Sequence, residues 1–337
     1  MQRCIELATK GLGYTYPNPL VGSVIVYNNK IISEGWHKKA GENHAEIEAI
    51  ENIHDKSILQ KSTLYVNLEP CSHFGKTNPC ADRIIKEQIS RVVIGTKDFS
   101  KKINGKGIEK LKKAGCKVKI GILDKECIYL NRRFFSFHLN QRPYIILKWA
   151  ESKDGFMAPS SMFRNKKNPF WLSNIHSIQK SHKWRAEEQA ILIGVQTVID
   201  DDPSLTVRSY SGNNPLRIIL DPNNRAPDYS KIITDNLNTL IINSSREKRT
   251  KKKCWKKINF KLFKEEIIKV LNTKKIQSII IEGGSRTLEY FIENDLFDEI
   301  RKIKTQLKLN NGIKSPKYNG KIIREEIIKG DVIQYIL

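Results

Sequence analysis

The stretch from 44 to 80 decides how this 337-residue chain is read. It holds His44-Ala45-Glu46 and, further on, Glu69-Pro70-Cys71-Ser72-His73-Phe74-Gly75-Lys76-Thr77-Asn78-Pro79-Cys80. One imidazole and two thiolates are three soft ligands for Zn²⁺, which leaves the fourth tetrahedral position open for water. Glu46 stands two residues past the histidine, a carboxylate that need not be a ligand. A water brought near neutral pKa, with a carboxylate beside it to move protons, is equipment for hydrolytic chemistry. Two blander readings compete. The three residues are core side chains, or they belong to a structural zinc closed by a fourth protein ligand, for which His73 is the candidate. The joint pattern favours the open, catalytic arrangement, with His44, Cys71 and Cys80 as ligands and Glu46 as the proton shuttle.

An H-x-E followed by P-C-x-x-C is the pattern of zinc-dependent deaminases. Here eight residues, not two, separate Cys71 from Cys80. Outward from this core, apolar spacing predicts a helix over 2–13, closed by Gly11 and Gly13. Tyr16-Pro17-Asn18-Pro19-Leu20-Val21-Gly22 reads as a proline-fixed turn. Strands follow over 21–27 and 30–36 around an Asn28-Asn29 hairpin turn. A helix opening at His44 and running to about 52 places Glu46 in its first turn. A strand over 63–68 delivers Glu69-Pro70-Cys71 at its C-terminal end, and Pro79-Cys80 opens another helix. Strands over 91–95 and 117–123, a helix over 107–114 and a closing helix over 124–140, capped by Asp124, complete a three-layer α/β pattern. Gln141-Arg142-Pro143 is the expected linker, so the domains are expected at 1–140 and 144–337.

The second pattern is again α/β. Strands are expected over 144–150, 190–195, 216–220, 239–242, 278–282 and 332–337. Helices are expected from 175 to about 188 and over 267–273 and 287–294. Ile281-Glu282-Gly283-Gly284-Ser285-Arg286-Thr287 reads as strand, glycine turn and helix start, where backbone amides hold phosphate or pyrophosphate. It is not the G-x-G-x-x-G fingerprint, so a Rossmann fold is not indicated. Lys148, Asp201 and Arg208 are candidate polar groups around the same cleft.

Composition sets the remaining bounds. A chain of 337 residues exceeds what one core usually serves. There is no run of 18 apolar residues, so no membrane span is expected. Met1-Gln2-Arg3-Cys4-Ile5-Glu6 lacks a signal-peptide core, and a cytoplasmic location is expected. Six scattered cysteines, two already given to metal, argue against a disulfide framework. The net charge is +23. Its lysines mingle with isoleucine and asparagine along the whole chain, so it reads as compositional bias instead of a nucleic-acid patch. The densest basic run, 246–257, reads as a solvated loop.

Taken together, these residues resemble the bifunctional riboflavin-biosynthesis deaminase/reductase family, over essentially the whole chain. The first half carries the likeness in Pro17-Asn18-Pro19-Leu20-Val21-Gly22, Gly41-Glu42-Asn43-His44-Ala45-Glu46 and Leu68 through Thr77, and the long Cys71–Cys80 spacing is that family's own variant. The second half carries it in Leu147-Lys148, Ser152, Asp154-Gly155, Trp171, Arg185, Asp201-Asp202-Pro203-Ser204-Leu205-Thr206-Val207-Arg208 and Glu282-Gly283-Gly284. The resemblance implies a cytidine-deaminase-like α/β domain followed by a dihydrofolate-reductase-like α/β domain. It implies Zn²⁺ and NADPH as cofactors, a small phosphorylated pyrimidine as substrate, no nucleic-acid or membrane partner, and a homo-oligomer. Residue by residue, it implies Zn²⁺ on His44, Cys71 and Cys80, with Glu46 catalytic. NADP is implied at Ala150, Trp171, Thr197, Asp201, Gly284, Ser285, Arg286, Thr287 and Leu288, and substrate at Arg185, Leu205, Arg208 and Glu282. Two departures stand out. Pro169 and Pro222 occupy positions where relatives use serine, so two hydroxyl contacts are missing. Two other readings stay open: a nucleic-acid-editing deaminase with a basic binding domain, and a deaminase fused to a non-catalytic interaction module. The second half lacks interleaved aromatic and basic residues for stacking bases, which weighs against the first of these.

Overall fold

The computed structural model describes residues 1–74, 78–100, 103–160 and 170–337. Pro169 and the Gly75-Lys76-Thr77 part of the cysteine motif lie outside the described residues. The chain divides into two compact units, Met1–Arg142 and Pro143–Leu337.

The first unit runs α1 (Gln2–Thr9), β1 (Gly22–Tyr27), β2 (Lys30–Trp36), α2 (Ala45–Glu51), β3 (Thr63–Leu68), α3 (Cys80–Lys86), β4 (Arg91–Thr96), α4 (Lys106–Lys113), β5 (Lys117–Ile120), α5 (Asp124–Leu130) and α6 (Arg132–Leu139). Its sheet has the order β2-β1-β3-β4-β5. β1 pairs antiparallel with β2 and β3, and β3, β4 and β5 run parallel. Asn28 and Asn29 take φ of 48° and 58°, the left-handed pair that a two-residue hairpin needs and asparagine tolerates. Period-two alternation sorts the sheet into two faces. Ile25, Leu64, Val66, Val92 and Ile94 pack with Ala49 and Ile50 of α2, Ala81 and Ile84 of α3, and Ile108 and Leu111 of α4. Val24 faces the opposite way, with Cys4 and Leu7 of α1.

The expected single helix over 124–140 is two. It breaks at Asn131, and Leu123, not Asp124, holds the N-cap position. The break turns the Asn131 side chain onto Leu20, whose N–H donates to Oδ1 at 2.8 Å and whose carbonyl accepts from Nδ2 at 2.9 Å. The first helix is also shorter than expected and ends at Thr9.

The second unit runs β6 (Tyr144–Glu151), β7 (Phe156–Ala158), α7 (Ile175–Glu187), β8 (Ala190–Gly194), α8 (Val195–Asp201), β9 (Leu216–Leu220), α9 (Lys231–Thr234), β10 (Thr239–Asn243), β11 (Lys248–Arg249), β12 (Lys253–Lys257), α10 (Phe263–Thr273), β13 (Ser278–Ile281), α11 (Ser285–Glu293), β14 (Glu299–Lys304), β15 (Ile313–Lys314), β16 (Ile322–Ile328) and β17 (Asp331–Ile336). Among the described residues its main sheet has ten strands, ordered β11-β12-β10-β9-β8-β13-β6-β14-β17-β16. The strands from β12 to β14 in that order are parallel, and antiparallel strands flank them at both ends. The central strands are near-continuous apolar runs because helices cover both faces. Ile145, Leu192, Ile218, Ile279 and Ile281 form one core with Phe263, Ile267, Leu288 and Phe291, and Ile146, Ile191, Ile193, Ile219 and Ile280 form the other with Trp184 and Val198.

The basic run 246–257 is not simply a solvated loop. It contains β11 and β12, and Lys253 is buried, donating to the Asp235 carboxylate at 2.9 Å and to the Leu237 carbonyl at 2.8 Å. α8 and β14 were not expected. In β14 the apolar alternation is hidden by Glu299 and Arg301, both buried and paired at 2.6 Å, with the Tyr144 hydroxyl donating to Glu299 at 3.0 Å.

Candidate active sites

The first site assembles at the C-terminal end of β3 and the starts of two helices. His44 holds the N-cap position of α2, and Cys80 is the first residue of α3. His44 Nδ1 lies 3.2 Å from Cys80 Sγ and 3.5 Å from Cys71 Sγ, and the three ligand atoms lie within 4.8 Å of one another. Zinc bonds of about 2.3 Å to sulfur and about 2.0–2.1 Å to nitrogen give tetrahedral edges of about 3.6 Å (N–S) and about 3.8 Å (S–S). The donor set therefore fits Zn²⁺ in size and chemistry. Among the described residues, the grouping has three members and His73 is exposed outside it. The backbone prepares the thiolates. Cys80 N–H donates to Cys71 Sγ at 3.3 Å, and Ala81 N–H donates to the Cys71 carbonyl at 3.0 Å. The hydrogen bond from the Cys80 thiol, then the His44 ring, pulls the Cys71 thiol down to about 4, although burial opposes this. The same bond and burial push Cys80 up. A divalent cation binding there displaces the thiol protons.

Glu46 is 3 % exposed, in the first turn of α2. Burial pushes its carboxyl up to about 7, against the opposing pull of His44. A carboxyl poised there both accepts and returns protons near neutral pH. Glu69, the first letter of the Glu-Pro-Cys motif, does a different job. Its two oxygens accept backbone N–H groups of Asp98 (3.1 Å), Gly105 (3.0 Å), Gly107 (2.9 Å) and Ile108 (3.3 Å). It thus ties the end of β3 to the start of α4. A Cβ on Gly107 would sit 1.9 Å from the Pro70 carbonyl oxygen, so only glycine allows that approach.

Sequence reading missed His37. Its ring meets the His44 ring edge-on at 5.3 Å. His37 Nδ1 is 2.9 Å from the Asn43 carbonyl, which only accepts, so Nδ1 carries the proton. Nε2 then accepts from Asn18 Nδ2 at 3.0 Å. Burial lowers the His37 pKa and keeps the ring neutral. The signal available in the sequence was Asn18 between two prolines, a polar side chain on a fixed turn.

The second site lies at the C-terminal ends of the parallel strands, where ligands gather in open α/β sheets. Register pairs Leu147 of β6 with Ile281 of β13, so Lys148 and Glu282 are the next neighbours along. Glu282 receives Arg185 of α7 through Nε (2.9 Å) and Nη2 (2.8 Å), and Lys148 Nζ stands 3.5 Å away. Burial alone would raise this carboxyl, but Arg185 and Lys148 hold it at about 2. Arg185 Nη1 also donates to the Thr206 carbonyl at 3.3 Å. Arg185 is therefore engaged with Glu282 and the 204–208 segment, and the more exposed guanidinium nearby is Arg208. His182, also missed, accepts the Arg208 backbone N–H at 2.9 Å. Burial and the nearby cations Arg185 and Arg208 press His182 down to about 4, which keeps it a neutral acceptor. Leu205 is buried with φ of 53°, a strained conformation for a leucine.

The glycine turn has two distinct requirements. A Cβ on Gly283 would lie 2.8 Å from the Gly194 nitrogen, so Gly283 is needed for strand-to-strand packing. A Cβ on Gly284 would meet only Thr197 Oγ1, at 3.7 Å, so the space over Gly284 is open on the protein's side. Gly284 N–H donates to Thr197 Oγ1 at 3.2 Å, joining α8 to the start of α11. Gly284 holds the N-cap position with no side-chain cap, and the first amides of α11, at Ser285 and Arg286, have no intrahelical partner. This cradle fits a pyrophosphate. Of the remaining candidates, Thr287 lies in the first turn of α11 and Leu288 is buried behind it. Asp201 ends α8, Ala150 is half-buried on β6, and Trp171 is exposed in the segment before α7. Pro222 follows β9, and its carbonyl accepts from Ser244 N–H at 3.1 Å and Ser244 Oγ at 2.5 Å.

Two family models match the chain, one within each folding unit. Residues 1–96 match the cytidine and deoxycytidylate deaminase zinc-binding region, and residues 143–303 match the RibD C-terminal domain. The riboflavin biosynthesis protein RibD of Aquifex aeolicus is 40 % identical over 306 residues, covering 89 % of this chain and 84 % of that protein. The chain belongs to the RibD family. The Escherichia coli RibD is 32 % identical over 318 residues, covering 89 % of this chain and 85 % of that one. The crystal structure of a diaminohydroxyphosphoribosylaminopyrimidine deaminase/5-amino-6-(5-phosphoribosylamino)uracil reductase from Thermotoga maritima superposes with a TM-score of 0.90 at 31 % identity, covering 100 % of this chain and 97 % of that one. Acinetobacter baumannii RibD superposes with a TM-score of 0.88, also at 31 % identity and the same coverage. RibD-family membership makes the chain a bifunctional deaminase/reductase of riboflavin biosynthesis, with a zinc-binding deaminase domain ahead of a reductase domain.

Proposed function

We propose that residues 1–140 deaminate 2,5-diamino-6-ribosylamino-4(3H)-pyrimidinone 5′-phosphate by hydrolysis, and that residues 144–337 then reduce the ribosyl group to ribityl with NADPH. The observation that carries the reading is the convergence of His44, Cys71 and Cys80 with a buried Glu46 two residues from the histidine. Zn²⁺ held by those three residues supplies the Lewis acid that makes water nucleophilic near neutral pH. Glu46 takes a proton from the attacking water and delivers it to the departing amine, so one water enters and one ammonia leaves. His37, neutral and fixed in one tautomer, lines the approach beside His44.

In the second domain the Gly284 cradle and the free amides of α11 support pyrophosphate binding. Arg286, Thr287 and Thr197 surround it, and Ala150, Trp171 and Asp201 complete the proposed NADPH contacts. Arg208 offers an exposed guanidinium to the acidic 5′-phosphate of the substrate. Arg185 and Lys148 keep Glu282 ionised, so the reductase cleft presents a carboxylate with two cations at its floor. Leu205, buried in the 204–208 segment, is the apolar member of the proposed substrate contacts. A small phosphorylated substrate accounts for the basic surface without a nucleic-acid partner, and no helix among the described residues is long and apolar enough to cross a membrane.

Glu46→Gln tests the division of labour. General acid–base groups contribute about 10²- to 10⁴-fold, and Glu46 acts twice in one turnover. The variant should lose deamination by at least that factor, keep its zinc, and still oxidise NADPH when given the already deaminated ribotide. A variant dead in both reactions while folded would contradict two separate sites.

A further inference from the structure

The segment that carries Arg208 has no helix or strand of its own over residues 202–208. Side chains hold its backbone instead. The Ser204 carbonyl accepts from Arg217 Nη1 at 3.0 Å, and the Thr206 carbonyl accepts from Arg185 Nη1 at 3.3 Å. Val207 N–H donates to Asn214 Oδ1 at 2.8 Å, and Arg208 N–H donates to His182 Nδ1 at 2.9 Å. His182 and Arg185 stand three residues apart on α7, so they share a helix face. That face of α7 therefore holds both the Glu282 carboxylate and the backbone of the 204–208 segment.

His182 differs from the other holders in what it fixes, the residue that presents an exposed guanidinium to the cleft. Arg208 Nη1 donates to Thr206 Oγ1 at 3.3 Å. Burial and then the Arg185 cation lower the Arg208 pKa, as two like charges set close together require. Without an anchor, Arg208 would turn away from Arg185 into solvent. The anchor must accept a hydrogen bond and must add no further positive charge. His182 meets both conditions. A backbone N–H only donates, so Nδ1 is the acceptor and Nε2 carries the proton. His182 is 2 % exposed, and burial with the two neighbouring guanidiniums keeps it neutral. A lysine or arginine at 182 could not accept that N–H and would add a third cation beside the other two.

We propose that His182 is a positioning residue for the reductase substrate: its Nδ1 fixes the backbone of Arg208 so that the guanidinium stands where the 5′-phosphate arrives. This rests on the reading of Arg208 as the phosphate contact, and the experiment separates the two. Steady-state kinetics of the full-length protein with NADPH are measured on the deaminated ribotide and on the same compound without its 5′-phosphate. Arg208→Ala should raise KM for the ribotide by about tenfold or more and leave the dephosphorylated compound as poor a substrate as it is for the parent. His182→Leu, close in size and without an acceptor, should show the same selectivity: KM for the ribotide up about tenfold, kcat changed by less than about twofold, and parent-like kcat/KM on the dephosphorylated compound. Added to Arg208→Ala, it should cost nothing further, because both changes remove one contact. His182→Asn sets an amide oxygen near the place of Nδ1 and should restore most of the KM. His182→Gln, whose amide reaches toward the place of Nε2, should not. NADPH affinity by fluorescence titration should be parent-like in all three His182 variants. An Arg208→Ala variant that treats the two compounds alike would remove the phosphate reading itself, and the proposal with it. If Arg208→Ala discriminates between them but His182→Leu slows both equally, or His182→Asn is no better than His182→Gln, the histidine only packs and the proposal is overturned.

Discussion

At the scale of single residues, the account turns on groups that burial makes expensive to leave unpaired. Cys71 and Cys80 lie beside His44, an arrangement that a cation completes. Elemental analysis of Cys71→Ser and Cys80→Ser should show loss of most zinc from the one-per-chain level of the parent; full occupancy in both would remove the assignment. Glu282 gives a pH prediction. Its pKa is lowered from 4.5 to about 2 in the folded chain. The unfolded carboxyl therefore binds a proton first as pH falls, and the stability it contributes is complete above about 4.5 and lost as pH drops toward 2. A shift of that size is on the order of 3 kcal/mol. Urea melts followed by tryptophan fluorescence at pH 7 and pH 3 should show the loss, and Glu282→Gln should flatten it. The same variant should be weaker at pH 7, by about 3–5 kcal/mol, because Arg185 and Lys148 then lie buried without their counter-charge. An unchanged urea midpoint at pH 7 would contradict the buried ion pair. The grouping of His44, Cys71 and Cys80 was legible in the sequence because residue type and spacing alone suggest it. Arg185 and Glu282 were each singled out in the sequence but not as partners, since nothing in the spacing of 185 and 282 brings them together before the sheet register is known. His37 and His182 were hidden for the same reason: each acts by holding a distant backbone or side-chain group.

At the scale of elements, the glycine turn after β13 separates packing from binding. Gly283→Ala drives a Cβ to within 2.8 Å of the Gly194 nitrogen and 3.0 Å of Ile193 Cα, so the central strands must shift. Overpacking of this kind costs about 1–3 kcal/mol, readable as a lowered melting temperature. A Cβ at 284 meets only Thr197 Oγ1, at 3.7 Å, so Gly284→Val should fold like the parent. It should weaken NADPH binding by at least about tenfold, a loss of about 1.4 kcal/mol, in a fluorescence titration. Parent-like NADPH affinity in Gly284→Val would move the cofactor elsewhere. Apolar and turn signals located most of the parallel strands within a residue or two, because strands buried on both faces are written as isoleucine runs. Three of the strands that escaped share a feature. β12, β14 and β16 are interleaved with lysine, arginine or glutamate, which the fold pairs or leaves at an edge, so their period-two pattern is masked. The helix over 124–140 looked continuous because nothing local announces that Asn131 must turn aside to hold Leu20.

At the scale of the whole molecule, the +23 charge is spread, and the dense run at 246–257 is partly a strand pair with Lys253 turned inward. Binding to duplex or structured RNA should therefore be weak and vanish near 150 mM salt, with the steep slope of counterion release. Tight, sequence-selective binding at that salt would revive a nucleic-acid substrate. Two α/β units were legible from the linker and the return of strand patterning after it, while pairing across the ten-stranded sheet was not, since β13 enters between β8 and β6 late in the chain. The central claim is that one chain carries two consecutive reactions. The most direct measurement incubates the purified protein with the diaminopyrimidine ribotide and follows ammonia release and NADPH oxidation together. The account predicts ammonia release with or without NADPH, and NADPH oxidation that begins only after ammonia appears and ends at one equivalent per substrate. NADPH oxidation that precedes ammonia, or no ammonia at all, would contradict it.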